Sequence, residues 1–187
     1  MTVAEPALDR AIDGARLNRD EIRLLFEHGD LLELGQAARA VRERLHPAPE
    51  ATYIIDRNIN YTNVCIYRCR FCAFYRTADA VDAYLLPFET IAEKVAETVA
   101  SGGTGILLQG GVHPELRLLD YEELLRRLKK TFPQVHLHAF SVPEIWYLAK
   151  VESRGVREIL NRLAAAGLDS IPGGGAEILE DDTRRRI

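Results

Sequence analysis

A chain of 187 residues has the length of one ordinary domain, and with 47% hydrophobic and 28% charged residues it has the composition of a globular protein, not a disordered one. A formal net charge of −4 argues against a dedicated nucleic-acid binder, which carries a basic surplus, and no run of about 18 apolar residues offers a membrane span. The opening M-T-V-A-E-P-A-L-D-R is acidic early and lacks an apolar core, so it does not read as a secretory signal, and a cytoplasmic protein is expected.

Residues 1–50 read as a helical segment. Asn18 and Glu21 have the spacing of an N-cap with a reciprocal carboxylate, Ile22, Leu25 and Phe26 line one face, and Gly29 is a stop. Asp30 and Glu33 repeat the cap. Leu31, Leu34, Ala38, Val41 and Leu45 then keep helical spacing until His46-Pro47 ends the run.

From residue 51 the rhythm changes. An extended segment near 54–64 leads into three cysteines. Pro87 to Ala100 is helical, with Ile91, Val95 and Val99 in register. Gly105–Gln109 is a short apolar strand ending in Gly110-Gly111. Asp120 to Lys130 is helical through Tyr121, Leu124, Leu125 and Leu128. Val135 to Phe140 is a strand, Arg154 to Ala166 a helix and Leu168 to Ile171 a fourth strand, followed by Pro172-Gly173-Gly174-Gly175. The closing E-D-D-T-R-R-R-I reads as the start of a helix, with Arg184, Arg185 and Arg186 on a solvated face.

Strand, loop and helix in repetition predict an α/β chain with a parallel sheet, whose functional face lies at the carboxyl ends of the strands. About four βα units are visible over residues 51–187. A complete (β/α)8 barrel takes about 250 residues, so the expectation is the N-terminal part of a TIM-type barrel and a truncated chain.

Cys65, Cys69 and Cys72 are the only cysteines. Their odd number and crowding argue against a disulfide framework and for a reducing compartment and a metal site. The spacing is C-x3-C-x2-C. A structural zinc would want a fourth ligand, such as His113 or His138. Three thiolates on one loop can instead hold three corners of a cubane cluster and leave the fourth iron open to substrate.

The cysteine motif, with Phe71 before its last cysteine, resembles that of the radical S-adenosylmethionine (SAM) enzymes. The likeness extends to I-N-Y-T-N-V-C (59–65), C-A-F-Y-R (72–76), Q-G-G-V-H-P (109–114), H-A-F-S-V-P-E (138–144) and L-D-S-I-P-G-G-G-A-E-I-L (168–179). Together these are similar to the futalosine-pathway enzymes of menaquinone biosynthesis. Tyr61, where a sister enzyme of the group tends to have proline, and Ser170-Ile171-Pro172 favour the cyclising member.

The resemblance implies a 4Fe–4S cluster on Cys65, Cys69 and Cys72, with SAM as the second cofactor and Phe71 beside its adenine. It implies a radical cyclase acting on dehypoxanthinyl futalosine, with hydrogen abstraction at ribose C4′ and reduction by a donor such as flavodoxin or ferredoxin. No nucleic-acid or membrane partner is expected. A non-catalytic cluster-binding fragment is the alternative outside catalysis.

Other residues have a functional and a bland reading. Gly110 and Gly111 let a backbone approach a ligand closely, or form a plain turn; the resemblance puts them against SAM. Ser141 could bond substrate, and Glu144 could do so or only cap the next turn. Glu177 is a favourable carboxylate at a helix start, or by resemblance a ligand of SAM or substrate. His136 and His138 share one strand face; His136 reads as structural and His138 as the better claimant to a pocket. His113 could reach substrate. Arg68, Arg70 and Arg76 flank the cysteines and could pair with a carboxylate, though solvated charges are commoner.

Overall fold

The computed structural model describes residues 4–173 and 178–186. The chain divides into two compact units, Met1–Thr52 and Tyr53–Ile187. Glu177 lies outside the described residues.

The first unit is helical: α1 (Glu5–Ile12), α2 (Arg19–His28) and α3 (Leu31–Leu45). The Asn18 side chain accepts from the Glu21 amide at 2.9 Å and the Glu21 carboxylate accepts from the Asn18 amide at 2.7 Å, so α2 opens on a full capping box. Asp30 accepts from the Leu32 and Glu33 amides and opens α3 in the same way. α1, which begins at a proline-containing first turn, packs on α3.

The second unit alternates strand and helix: β1 (Asp56–Asn60), α4 (Phe88–Ala100), β2 (Gly105–Gln109), α5 (Leu118–Thr131), β3 (His136–Ala139), α6 (Val142–Val151), α7 (Val156–Ala166) and α8 (Asp181–Arg184). The three strands are parallel in the order β1-β2-β3. The expected fourth strand, 168–171, is a single parallel bridge of Ser170 to His138 among the described residues. The Ser170 carbonyl accepts from the Ala139 amide, and the Asp169 and Ser170 amides reach Leu137; Pro172, which has no N–H, cannot continue the ladder. α6 was not foreseen. Its V-P-E-I-W-Y-L-A-K-V has a nearly continuous apolar run that hides a helical period, and its proline sits harmlessly in the first turn.

The sheet has two unlike faces because side chains alternate along a strand. Ile59, Ile106, Leu108, Leu137 and Ala139 are buried with Ile91 and Val95 of α4, Leu125 and Leu128 of α5, and Ile159 and Leu163 of α7. The other face carries, in register, Asp56–Gly105–His136, then Asn58–Leu107–His138 with Ser170 beside it, then Asn60–Gln109. Parallel strands covered on both sides are normally apolar on both. Here one face is the core and the other, apart from Gly105 and Leu107, is polar, which fits the inside of a partial barrel.

Leu137, fully buried on β3, tests the core assignment. Leu137→Ala should cost roughly 2–5 kcal/mol of stability in urea unfolding; a change within error would place it outside the core.

Candidate functional site

The segment after β1 extends the sheet's pairing beyond the strands. The Tyr61 amide donates to the Gln109 carbonyl at 3.2 Å, the Gly111 amide to Thr62 at 2.9 Å and the Ile66 amide to Val112 at 3.1 Å. The cysteine loop therefore starts zipped to the segment that leaves β2. Its neck is closed by paired bonds, Cys65 N–H to the Arg76 carbonyl at 3.0 Å and Arg76 N–H to the Asn63 carbonyl at 2.7 Å.

Buried polar groups fix that neck. The Thr62 hydroxyl donates to the Tyr84 carbonyl at 2.6 Å, and the Asn63 amide group bonds Asp82 and Tyr84 backbone atoms, both at 2.8 Å. Arg76 pairs with Asp82 at 2.7 Å and caps the carbonyls of Ala73, Phe74 and Tyr75. That pairing holds the Asp82 carboxyl below its ordinary range. Of the two readings of Arg76, the paired one is observed.

Gly110 and Gly111 hold the chain's own parts together. A Cβ on Gly110 would lie 2.8 Å from the Tyr61 ring, and one on Gly111 would lie 2.2 Å from the Val64 carbonyl oxygen and 2.9 Å from Cys65 Cβ. Only glycine lets the β2 exit lie this close to the first cysteine.

A single carboxyl group ties the three strand exits. Glu144, only 2% exposed, receives the Tyr61 hydroxyl at 2.5 Å from the β1 exit and the Ser141 hydroxyl at 2.6 Å from the β3 exit, and backbone hydrogen bonds from Gly110 and Ser141. Burial raises its carboxyl to about 7, against the opposing pull of these hydrogen bonds. The Tyr61 hydroxyl lies 3.3 Å from that of Tyr121, and burial drives both phenols upward. Phe140 completes the group, edge-on to Tyr121 at 5.0 Å and to Tyr61 at 6.4 Å. It is fully buried with φ +65°, a left-handed conformation that costs a bulky residue about 1–3 kcal/mol and survives because its surroundings fix it.

The cysteine loop is where the site opens. All three residues are half-buried thiols on one loop. Phe71 is 54% exposed, and Ile66, Tyr67 and Phe74 are also exposed. Partial burial, then Cys65, Tyr147 and Cys69, push the Tyr67 hydroxyl up, which places it beside two of the thiols. Among the described residues no three His, Cys, Asp or Glu side chains converge on a single-ion point. A cubane asks for something different, one soft thiolate on each of three separate irons. Three thiols on a loop with a locked neck are a donor set of that kind.

The remaining expected residues separate. His113 is buried, its Nδ1 accepts from the Glu115 amide at 3.2 Å, and burial drives its pKa down, so one ring nitrogen is engaged within its own loop. Ser141 and Glu144 meet each other at the β3 exit. His138 lies on the polar face, where both it and His136 contact the Ser170 hydroxyl, at 2.6 and 2.7 Å. Sequence reasoning did not single out Asn58, Asn60, Gln109 or Ser170 as site residues. The signal was there in D-R-N-I-N, where polar residues alternate in a strand of a parallel sheet. It also passed over the Tyr61–Glu144 bond, whose partners are 83 residues apart.

A family model described as the radical SAM superfamily matches residues 59–187. Cyclic dehypoxanthine futalosine synthase of Halalkalibacterium halodurans is 46% identical over 96% of this chain and 49% of its own length, and that of Streptomyces coelicolor 44% over 98% and 47%. The 5-amino-6-(D-ribitylamino)uracil–L-tyrosine 4-hydroxyphenyl transferase of Methanothermobacter thermautotrophicus is 42% identical over 100% of this chain and 51% of its own length. The chain thus spans about half the length of the curated relatives it matches. Among solved structures, methylornithine synthase superposes with a TM-score of 0.60 at 17% identity, covering 90% of this chain and 58% of that one, a likeness of fold. Among the described residues no helix is long and apolar enough to cross a membrane.

Gly111→Ala forces the neck open. Hydrogen exchange should show lost protection at the amides of Tyr61, Ile66 and residue 111 with helix content kept; unchanged protection would contradict the packing. The Glu144 carboxyl, raised from 4.5 to about 7 by burial, binds its proton more tightly folded than unfolded. Its contribution is full below the unfolded value and disappears as pH rises through about 7. Unfolding followed against pH should show Glu144→Gln gaining on the parent by an amount on the order of 1–3 kcal/mol between acid and neutral pH; parallel profiles would contradict it.

Proposed function

The chain belongs to the radical SAM superfamily, and we propose that it carries the cluster-binding part of a cyclic dehypoxanthine futalosine synthase, the radical cyclase of menaquinone biosynthesis. The observation that carries this reading is the 46 and 44% identity to two such synthases over nearly the whole chain. In this reading Cys65, Cys69 and Cys72 each take one iron of a 4Fe–4S cluster. Such a cluster together with SAM would supply the radical chemistry needed to remove a hydrogen from ribose C4′ of dehypoxanthinyl futalosine.

The protein's own part is placement and exclusion of water. The neck bonds hold the three thiols at the carboxyl end of β1. Gly110 and Gly111, expected against SAM, instead face Tyr61, Val64 and Cys65 of the chain itself and bring the β2 exit against that loop. Phe71, exposed on the loop, offers an aromatic face to the adenine, and Glu177 offers a carboxylate to the ribose of SAM or to substrate. Glu144 spends both carboxyl oxygens on the protein and aims Ser141, while His138 stands on the polar face toward substrate. An electron donor such as flavodoxin or ferredoxin delivers the reducing electron.

Tyr61 favours this activity over that of aminodeoxyfutalosine synthase, the sister enzyme. A proline at position 61 would lose both the amide bond to Gln109 and the hydroxyl bond to Glu144. A second reading, the 4-hydroxyphenyl transferase, is favoured by identities of 37–48% to enzymes of that name.

The test is an anaerobic incubation with SAM and a strong reductant. Dehypoxanthinyl futalosine should yield a cyclised product lighter by a pair of hydrogens, the enolpyruvyl-benzoate substrate of the sister enzyme should not react, and Cys65→Ser should abolish SAM cleavage. Product only from 5-amino-6-(D-ribitylamino)uracil and tyrosine would assign the transferase reaction instead.

A further inference from the structure

Ser141 stands at the N-cap of α6, yet its side chain caps no helix amide. A capping serine accepts from the helix backbone. This one gives its hydrogen away, to Glu144 Oε2 at 2.6 Å. The carboxyl that receives it is surrounded by donors: the Tyr61 hydroxyl at 2.5 Å on Oε1, and the backbone amides of Gly110 and Ser141. Among the described residues no Lys, Arg or His pairs with it. The other titratable groups of the cluster are Tyr121, 3.3 Å from the Tyr61 hydroxyl, and Asp120 and Tyr147, which act on Tyr121.

An ionised carboxylate satisfies all of these donors, because it only accepts. When Glu144 takes a proton, one of the two hydroxyls has to turn away and accept instead. Tyr61 is 1% exposed, and its hydrogen could go only to Tyr121, itself 3% exposed. Ser141 is half-buried, so its hydrogen can turn outward to a bound molecule. Ser141 is therefore the member through which a proton passes between this carboxyl and the outside. It lies at the same end of the sheet as the thiols: the Gly110 amide bonds the same carboxyl, and the next glycine lies against Cys65. Burial brings the carboxyl to about 7, where it can both take and release a proton under neutral conditions.

The cyclisation proposed above removes two hydrogens from its substrate. One leaves ribose C4′ as an atom. Bonding of C4′ to the benzoate ring leaves the other on the ring carbon attacked, and aromaticity returns when that C–H bond breaks. Its electron goes to a one-electron acceptor, an oxidised iron–sulfur centre, and its proton needs a base. We propose that Ser141 and Glu144 are that base: Ser141 Oγ takes the ring proton as its own hydrogen passes to Glu144 Oε2, which ends as a carboxylic acid. The proposal rests on the cyclase reading and adds to it the residues that receive the proton. Ser141 meets the substrate, and Glu144 acts through it.

The whole chain, reconstituted and supplied with SAM, reductant and dehypoxanthinyl futalosine, tests this through the yield of cyclised product per 5′-deoxyadenosine. In the parent that yield should rise with pH through about 7, because the ionised carboxyl is the form that accepts. Ser141→Ala and Glu144→Gln should lower it roughly a hundredfold and flatten its pH profile, and Glu144→Asp should restore part of it. Ser141→Ala removes one half-buried hydroxyl and keeps the test decisive where Glu144→Gln fails to fold. Infrared difference spectra without substrate should show a protonated-carboxyl band that fades as pH rises through about 7, shifts in Ser141→Ala and is missing from Glu144→Gln. The parent's yield and profile in Ser141→Ala, or no such band, would overturn the proposal and leave the cyclase standing. SAM cleavage without cyclised product in the parent would refute the cyclase, and the proton role with it.

Discussion

The buried carboxyl of Glu144 is the point on which the functional end of the molecule depends. It joins Tyr61 at the exit of β1, the Gly110 amide at the exit of β2 and Ser141 at the exit of β3. An ionised carboxylate in such a place would be expensive, and burial answers by raising its proton affinity toward neutrality. The hydrogen bonds recover enough to keep the polar group inside. Three loops that would otherwise move separately are thereby held as one unit, and the left-handed backbone of Phe140 is locked beside them by two tyrosine rings.

What this unit carries is the cysteine loop. Its first residues continue the sheet's pairing, its neck is closed between Val64 and Arg76, and the absence of a side chain at Gly111 lets Cys65 lie against the β2 exit. The loop itself stays open, with Phe71 and Tyr67 exposed beside the thiols. A rigid base under an accessible donor set suits a cofactor that must be held firmly and still admit a second molecule. The polar inner face of the sheet then continues downward from that mouth, through Asn60 and Gln109 to Asn58, His138 and Ser170.

Much of this was legible in the sequence because it is local. The capping box of Asn18 and Glu21, the helices with clear apolar spacing and the three strands all follow from near neighbours along the chain. The cysteine spacing and the motifs after each strand carried the family. Three things were not legible, each for a physical reason. α6 is apolar on too many sides to show a period, so its first residues looked like loop. The segment at 168–171 has strand composition, but Pro172 limits it to one bridge. The roles of Tyr61 and Glu144 belong to a contact between residues 83 positions apart, which no pattern along the chain encodes.

The central claim is that Cys65, Cys69 and Cys72 present an iron–sulfur cluster with one iron open to SAM. Anaerobic reconstitution with iron and sulfide, followed by electron paramagnetic resonance of the reduced protein with and without SAM, tests it most directly. The account predicts one four-iron cluster per chain whose signal changes when SAM is added. A protein that takes up zinc in its place, or a cluster whose signal ignores SAM, would contradict it.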